Sequence, residues 1–390
     1  MYEHTPSRRA LCCAPTSTHR TIQEGLTLQH SHRFPAPRPT TRLDRRAFIA
    51  ALLGMGAVAP ALAATPTWPA RLQASLDMLD ARVHADVGVY VHDLGTGIEV
   101  SHRAHESWYL ASMVKVPVAL AVMHAVDRGE VSLDTRVTLR AADFVDGAGT
   151  TNSMAPGTAL SVRHLLEQMI VYSDNTASDM LIELVGLDAV NALTQTVIPG
   201  GMRPITTLAD VRREIYGHLA PGANRLAGMD FVKIRRQASD ADRVRALQGI
   251  VGMPSSHMTD ATLEDAYAAY YARRLNSGPL DAYGALLTQL AQGQILTSAS
   301  TDYLLKTMRR VKTGDRRLKA GFPSAIAFAH KTGTQRARFC DAGIVDITSA
   351  IPPRRAVIVA CVSGDASLTR SEQALKEVGT VIRQSGFFSQ

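Results

Sequence analysis

Apolar and polar positions alternate along "DVGVYVHDLGTGIEVSHRA" (86–104), and the alternation breaks at Gly95-Thr96-Gly97. A period of two marks a strand, so this stretch predicts a β-hairpin. The preceding "WPARLQASLDMLDARV" predicts a short helix. From 108 to about 310 the period is mainly helical. "WYLASMVKVPVALAVMHAVDRG" (108–129) reads as one almost wholly apolar helix. "SVRHLLEQMIVYSDNTASDMLIELVG" gives two apolar halves around a polar interruption at Tyr172–Asn175. "LEDAYAAYYARRL" and "AYGALLTQLAQG" are amphipathic helices, and "SASTDYLLKTMRRV" opens on serine and threonine caps. Strand patterns return from 326 in "AIAFAHKTGT", "FCDAGIVDI" and "AVIVACVSG", and "SEQALKEVGTVIRQS" closes the chain as a helix.

Strands near both ends therefore bracket a helical middle. The expected fold class is α/β (α+β). One antiparallel sheet is built from N- and C-terminal segments and flanked by helices, with an inserted all-helical lobe. The expected boundaries are an extension with an export signal at 1–63, a discontinuous α/β lobe at 66–108 and 311–390, and a helical lobe at 109–310. An enlarged loop is expected at about 206–262.

The 390 residues are 46% apolar and 20% charged, an ordinary soluble composition with room for roughly two domains. The net charge of +7 would suggest nucleic acid, but residues 1–63 hold eight arginines against three acids, and the remainder carries only +2. No nucleic-acid partner is expected. "DRRAFIAALLGMGAVAPALAA" sets Arg45 and Arg46 before a short apolar run and an Ala61-Leu62-Ala63 cleavage site, the build of a secretory signal and similar to a twin-arginine one. The run is too short for a comfortable membrane span, so a periplasmic or secreted monomer released by signal cleavage is expected. Cys12 and Cys13 would leave with the signal. A hairpin centred near 350–351 sets Cys340 opposite Cys361, either as a disulfide or as two buried thiols. His102 and His105 are three apart with no third ligand nearby, and read as a surface turn rather than a metal site.

Three polar clusters carry candidate chemistry. Ser112 and Lys115 are spaced i, i+3, on one helix face near a helix start. A lysine desolvated among Val114, Val116 and Pro117 has a lowered pKa and can accept the serine proton. Ser173-Asp174-Asn175 interrupts two apolar halves, where polar groups are costly unless they face a cleft. Lys331-Thr332-Gly333 lies on an expected strand, with a cation and a hydroxyl suited to a carboxylate and a glycine permitting close backbone approach. Taken singly, each has a plainer reading: a snorkelling lysine, a capping turn and a strand end.

S-x-x-K, S-D-N and K-T-G in this order resemble the signature of class A β-lactamases and penicillin-binding proteins. "PGTALSVRHLLEQMIVYSDNTASD" and "TMRRVKTGDRRLKAGFPSAIAFAHKTGT" are also similar to class A stretches, and the resemblance covers most of residues 70–390. It implies that Ser112 is the acylated nucleophile, Lys115 the acylation base and Ser173 a proton relay aided by Lys331. It implies that Asn175 binds the acyl amide and that Lys331, Thr332 and Thr334 hold the substrate carboxylate. The backbone N–H groups of Ser112 and Thr334 would form the oxyanion hole, and Arg336 or Arg338 would add the carboxylate-binding cation. No cofactor or metal is implied, and the partners would be β-lactams or cell-wall peptides.

One departure bears on mechanism. The family's E-x-x-L-N, whose glutamate activates water, does not occur between Asn175 and Lys331. In "TTLADVRREIYGHL" Glu214 is a candidate base, although a direct overlay puts Arg212 at the glutamate's place. The expected function is therefore an exported class A β-lactamase-like serine hydrolase. The alternatives are a D-alanyl-D-alanine peptidase with slow deacylation and a non-catalytic cell-wall binding module.

Overall fold

The computed structural model describes residues 67–389. The expected signal, Cys12 and Cys13 lie outside them. Helix α1 (Trp68–Arg82) starts with proline in its first turn and buries Trp68, Leu72, Leu76 and Leu79 along one stripe. Strands β1 (Asp86–Asp93) and β2 (Glu99–His102) form the expected hairpin. His102 differs from expectation. It ends β2 buried, with its two ring nitrogens 3.1 Å from Asp77 and from Asp80, because α1 packs its acidic edge on that strand.

The expected 108–129 helix is broken into three. Trp108–Tyr109 is a short strand, β3, then Ala111–Val114 is a 3-10 turn, and α2 begins at Lys115 and runs to Asp127. Two things delay the helix: β3 pairs with Ser277–Gly278, and Ala111 takes a left-handed φ of 49°. Strands β4 (Arg136–Thr138) and β5 (Ala159–Ser161) pair next. Helices α3 (Val162–Val171), α4 (Asn175–Val185) and α5 (Leu187–Val197) follow, with α3 and α4 split at the expected interruption.

The stretch expected as an enlarged loop is helical, with a core of its own. It holds α6 (Leu208–Gly217), α7 (Met229–Arg235) and α8 (Asp240–Val251), and α9 (Leu263–Ala272) completes the group. Thr207, Ser239 and Thr262 cap three of these helices. Val211, Ile215, Phe231, Leu247 and Tyr270 pack together with Tyr109 and Ala111, so the segment packs on the turn that carries Ser112. Strand β6 (Ser277–Gly278), α10 (Leu280–Ala291), α11 (Ser298–Met308) and the short α12 (Leu318–Gly321) complete the middle. Thr297, one residue before the expected caps, caps α11.

Strands β7 (Ala327–Gln335), β8 (Arg338–Ile347) and β9 (Arg354–Ser363) join the N-terminal hairpin in one antiparallel sheet of order β2-β1-β9-β8-β7, and α13 (Leu368–Gln384) closes the chain. The central strand is apolar on both faces. Ile358, Ala360 and Val362 pack toward α1 and α13, and Val357, Val359 and Cys361 toward the helical middle. Each fully buried valine or isoleucine contributes on the order of 1.5–3 kcal/mol, which fixes the sheet as a rigid floor. Cys340 pairs in register with Cys361 and is disulfide-bonded to it. Among the described residues no single helix is long and apolar enough to cross a membrane.

Candidate active site

The 3-10 turn presents Ser112 to a cavity of about 690 Å³, within the ~300–1,000 Å³ typical of small-ligand sites. Ser173, Asn175, Thr332 and Thr334 line the same cavity, so the three sequence clusters converge. Each is delivered by a different element. Ser112 comes from the turn before α2, Ser173 and Asn175 from the α3–α4 break, and the two threonines from β7.

Backbone contacts fix the convergence. Gly333 lies so close to the turn that a Cβ there would stand 2.3 Å from the carbonyl oxygen of Leu110. The glycine at this position therefore permits β7 and the serine-bearing turn to touch. At the α3–α4 break Ser173 adopts φ 63°, and Asp174 caps α4 by accepting from the Ala177 N–H at 2.9 Å. Asp174 also accepts from the Thr151 N–H at 2.9 Å, and a Cβ on Gly149 (φ 89°) would meet its carboxylate at 2.1 Å. The 146–151 loop is thereby clamped to the triplet.

Lys115 is fully buried at the start of α2. Its Nζ donates to the Ser173 carbonyl at 2.6 Å and to Asn175 Oδ1 at 2.7 Å, and lies 3.3 Å from Ser173 Oγ. Burial lowers its pKa to about 7, against the opposing pull of Asp174 and Asp179. A neutral amine has two N–H donors, which the two short contacts use, and its lone pair remains for a proton. Lys331 is also fully buried, and its Nζ donates to Ser173 Oγ at 3.0 Å and to the Thr332 carbonyl at 2.9 Å. Burial holds its pKa well below the usual lysine value, and Lys115 and Arg317 lower it further. Ser173 Oγ thus lies within hydrogen-bond reach of both amines and can pass a proton between them.

Both arginines expected to bind a carboxylate are engaged by other groups. Arg336 lines the cavity, but Asp240 takes its Nη1 at 2.7 Å and Glu264 its Nε at 2.5 Å. Arg338 lies over the Tyr271 ring and donates to the Ala337 carbonyl. Behind the cavity wall, buried Arg317 donates to Thr334 Oγ1 at 2.7 Å and to the Gly333 and Cys340 carbonyls at 2.9 Å, and so braces β7 without lining the cavity. Thr313 holds the Thr332 hydroxyl at 2.6 Å. Arg317 lies inside the stretch that carries the family resemblance, but no local pattern distinguishes it from Arg316 beside it.

Glu214 is likewise turned away. It pairs with Arg273 and is not among the residues that line the cavity. Arg212, on the face of α6 that lines the cavity, forms a bidentate pair with Asp146 at 2.6 and 2.9 Å. The backbone carbonyl of Asp146 also accepts from Asn175 Nδ2 at 2.5 Å. Asp146 is the cavity's lining carboxylate among the described residues, and a guanidinium holds both of its oxygens. Among the described residues no group of three or more His, Cys, Asp or Glu side chains could hold a metal ion.

The family model described as "Beta-lactamase enzyme family" matches residues 71–385. A β-lactamase of Streptomyces fradiae is 27% identical over 308 residues, covering 76% of this chain and 82% of the relative. The β-lactamase L2 of Stenotrophomonas maltophilia is 36% identical over 126 residues, covering 32% and 41%. Among solved structures, a β-lactamase from Xanthomonas campestris superposes with a TM-score of 0.62 at 21% identity, covering 82% of this chain and 99% of the other. PBP-A superposes at 0.59 and 24%, covering 82% and 96%. These likenesses support the same fold.

Proposed function

The chain belongs to the β-lactamase enzyme family and is a β-lactamase-type hydrolase, and on that premise we propose that it opens β-lactam amides through an acyl-enzyme on Ser112. Lys115, neutral near pH 7, takes the Ser112 proton as Oγ attacks the carbonyl. The backbone N–H groups of Ser112 and Thr334 bind the developing oxyanion, an interaction typically worth about 100-fold or more per donor. Ser173 returns a proton to the departing nitrogen, with Lys331 Nζ donating to its hydroxyl oxygen at 3.0 Å. Thr332 and Thr334 hold the substrate carboxylate, with Arg317 bracing Thr334 from behind, and Asn175 holds the acyl amide. The observation that carries this reading is the contact of both buried amines with one hydroxyl, at 3.3 and 3.0 Å on Ser173 Oγ.

Deacylation is proposed to be slow. Water attack on the ester needs a base; Arg212 holds the cavity's lining carboxylate, Asp146, and Glu214 is paired with Arg273 away from the cavity. The same observation favours a second reading, in which the natural substrate is a D-alanyl-D-alanine cell-wall peptide and β-lactams are slow-leaving mimics. Export is part of the proposal and is supported by the signal-like run at 45–63 and by the Cys340–Cys361 disulfide, which suits an oxidising compartment. A single catalytic subunit with an α/β lobe and a helical lobe is sufficient for this chemistry.

A chromogenic cephalosporin tests it. The expected trace is a burst of one equivalent followed by slow turnover, with the acyl mass on Ser112 and no burst from Ser112→Ala. Turnover without a burst places deacylation ahead of acylation and removes the slow-release reading. Labelling that survives Ser112→Ala removes the nucleophile assignment.

A further inference from the structure

The Ser112 cavity continues beyond the residues that acylation uses. Its wall also includes Tyr216 of α6, Tyr267 of α9, Arg235 at the end of α7 and Arg243 of α8. Tyr216, Arg235 and Arg243 come from the segment that sequence alone suggests is a loop, and Tyr267 from the helix that follows it. Arg336, one residue past β7, fastens α8 to the sheet through Asp240, so this wall is anchored beside the strand edge.

The charges on this wall do not balance. Arg212 is matched by Asp146 on two oxygens. Arg336 is matched by Asp240 and Glu264. Arg243 has only a share of Asp240, at 2.6 Å on the other oxygen, and its Nε is buried with no hydrogen-bond partner. Arg235 is exposed and has no ion pair or side-chain hydrogen bond among the described residues. Buried guanidinium N–H groups are normally satisfied, so the unpartnered Nε leaves Arg243 incompletely paired within the protein. Two incompletely paired guanidiniums on one cavity wall create a local positive potential, and planar N–H forks suit a carboxylate.

We propose that Arg235 and Arg243 form an anion subsite that selects acyl donors whose side chain ends in a second carboxylate. The inference rests on the acyl-serine reading above and adds the substrate class. It concerns the acyl side chain, not the ring carboxylate, which the proposed function assigns to Thr332 and Thr334. The aromatic faces of Tyr216 and Tyr267 would flank the intervening chain.

Two penicillins test this cleanly. One carries a hexanedioyl side chain and the other a hexanoyl side chain, so they differ by a terminal carboxylate in place of a methyl group. The readout is the second-order rate of Ser112 acylation, followed by mass, in the full chain. We expect the hexanedioyl compound to be preferred about tenfold, the scale of one charge-assisted hydrogen-bonded contact. The preference should fall toward one in Arg235→Gln/Arg243→Gln, and should weaken in high salt. Arg235→Gln alone changes an exposed side chain that makes no ion pair, so it tests the subsite if the double variant unfolds, with a partial loss of preference expected. Equal rates with the parent protein, or a preference that survives both variants, overturns the subsite while leaving acylation intact. Failure of both penicillins to acylate Ser112 overturns the acyl-serine reading and the subsite with it.

Discussion

Arg212 and Asp146 meet through two hydrogen bonds, 2.6 and 2.9 Å, in the wall of the cavity that holds Ser112. Their side chains are 13% and 3% exposed, so each charge depends on the other. Breaking a buried pair from one side strands the remaining charge and costs roughly 3–5 kcal/mol. Arg212→Gln is therefore expected to destabilise the protein by about 3 kcal/mol, and the double variant Asp146→Asn/Arg212→Gln by clearly less. Urea unfolding of the four proteins of this cycle measures the coupling. Additive losses would show that the two charges are independently solvated.

The same pair explains why slow release is expected. A carboxylate that a guanidinium holds on both oxygens is a poor base for water. Asp146→Asn/Arg212→Glu removes the clamp and sets a free carboxylate on the face of α6 that lines the cavity. A positioned general base contributes typically 10²–10⁴-fold, so the lifetime of the penicilloyl ester should shorten by about 100-fold. Intact-protein mass after rapid dilution follows it. An unchanged lifetime would mean that no water site lies between this position and the ester.

Much of this arrangement is legible in the sequence, and the failures have identifiable causes. The strand periods at 86–104 and 326–364 are local, and they define the sheet. The apolar run at 108–129 is ambiguous, since Trp108 and Tyr109 fit a strand or a helix equally well until Ser277–Gly278 pairs with them from far along the chain. Ser112 consequently precedes α2 instead of riding on it. Arg317 is invisible because its role depends on a contact with Thr334 across an intervening loop. The segment expected as a loop reads poorly because its core is shared with Tyr109 and Ala111, about a hundred residues upstream.

Glu214 shows the same limit at the scale of one helix. Residues two apart lie roughly 200° around an α-helix, whereas residues four apart share a face. Arg212 and Tyr216 both line the cavity, so Glu214 must point elsewhere, and it meets Arg273. Glu214→Gln is expected to leave acyl-enzyme lifetime unchanged and, because the pair is partly exposed, to cost less than about 1 kcal/mol of stability. A lifetime lengthened tenfold or more would return Glu214 to the mechanism.

Lys115 sets a pH dependence. Burial brings its pKa down to about 7, so the base form required for Ser112 attack is lost below that pH. Acylation should rise about tenfold per pH unit below 7 and level off above it. Stability follows the opposite proton count. The unfolded lysine titrates near 10.4, so between about 7 and 10.4 the unfolded chain binds a proton that the folded one lacks. The penalty for burying Lys115 is therefore complete below pH 7 and fades as pH rises through that window. Stopped-flow acylation from pH 5.5 to 8.5 checks the kinetic half. A flat profile would assign the proton transfer to another group.

Gly333 tests whether backbone contact, and not only side-chain chemistry, builds the site. A methyl group at this position would stand 2.3 Å from the Leu110 carbonyl oxygen and 3.3 Å from Ala111 Cβ. The nearer neighbour is backbone, so no rotamer change relieves it, and β7 must move away from the turn. Moving β7 shifts the Thr334 N–H relative to Ser112, while Lys115, Ser173 and Asn175 stay on the helical side. Gly333→Ala is thus expected to lower the acylation rate by about 100-fold or more, the scale of losing one oxyanion donor. It should also destabilise the fold by about 1–3 kcal/mol, the usual cost of overpacking. The kinetic loss should exceed the loss in binding of a non-covalent carboxylate ligand, because Arg317, Thr332 and Thr313 travel with the strand or brace it from the same side. Equal losses in acylation and in carboxylate binding would point to general disorder of β7 in place of a displaced oxyanion hole.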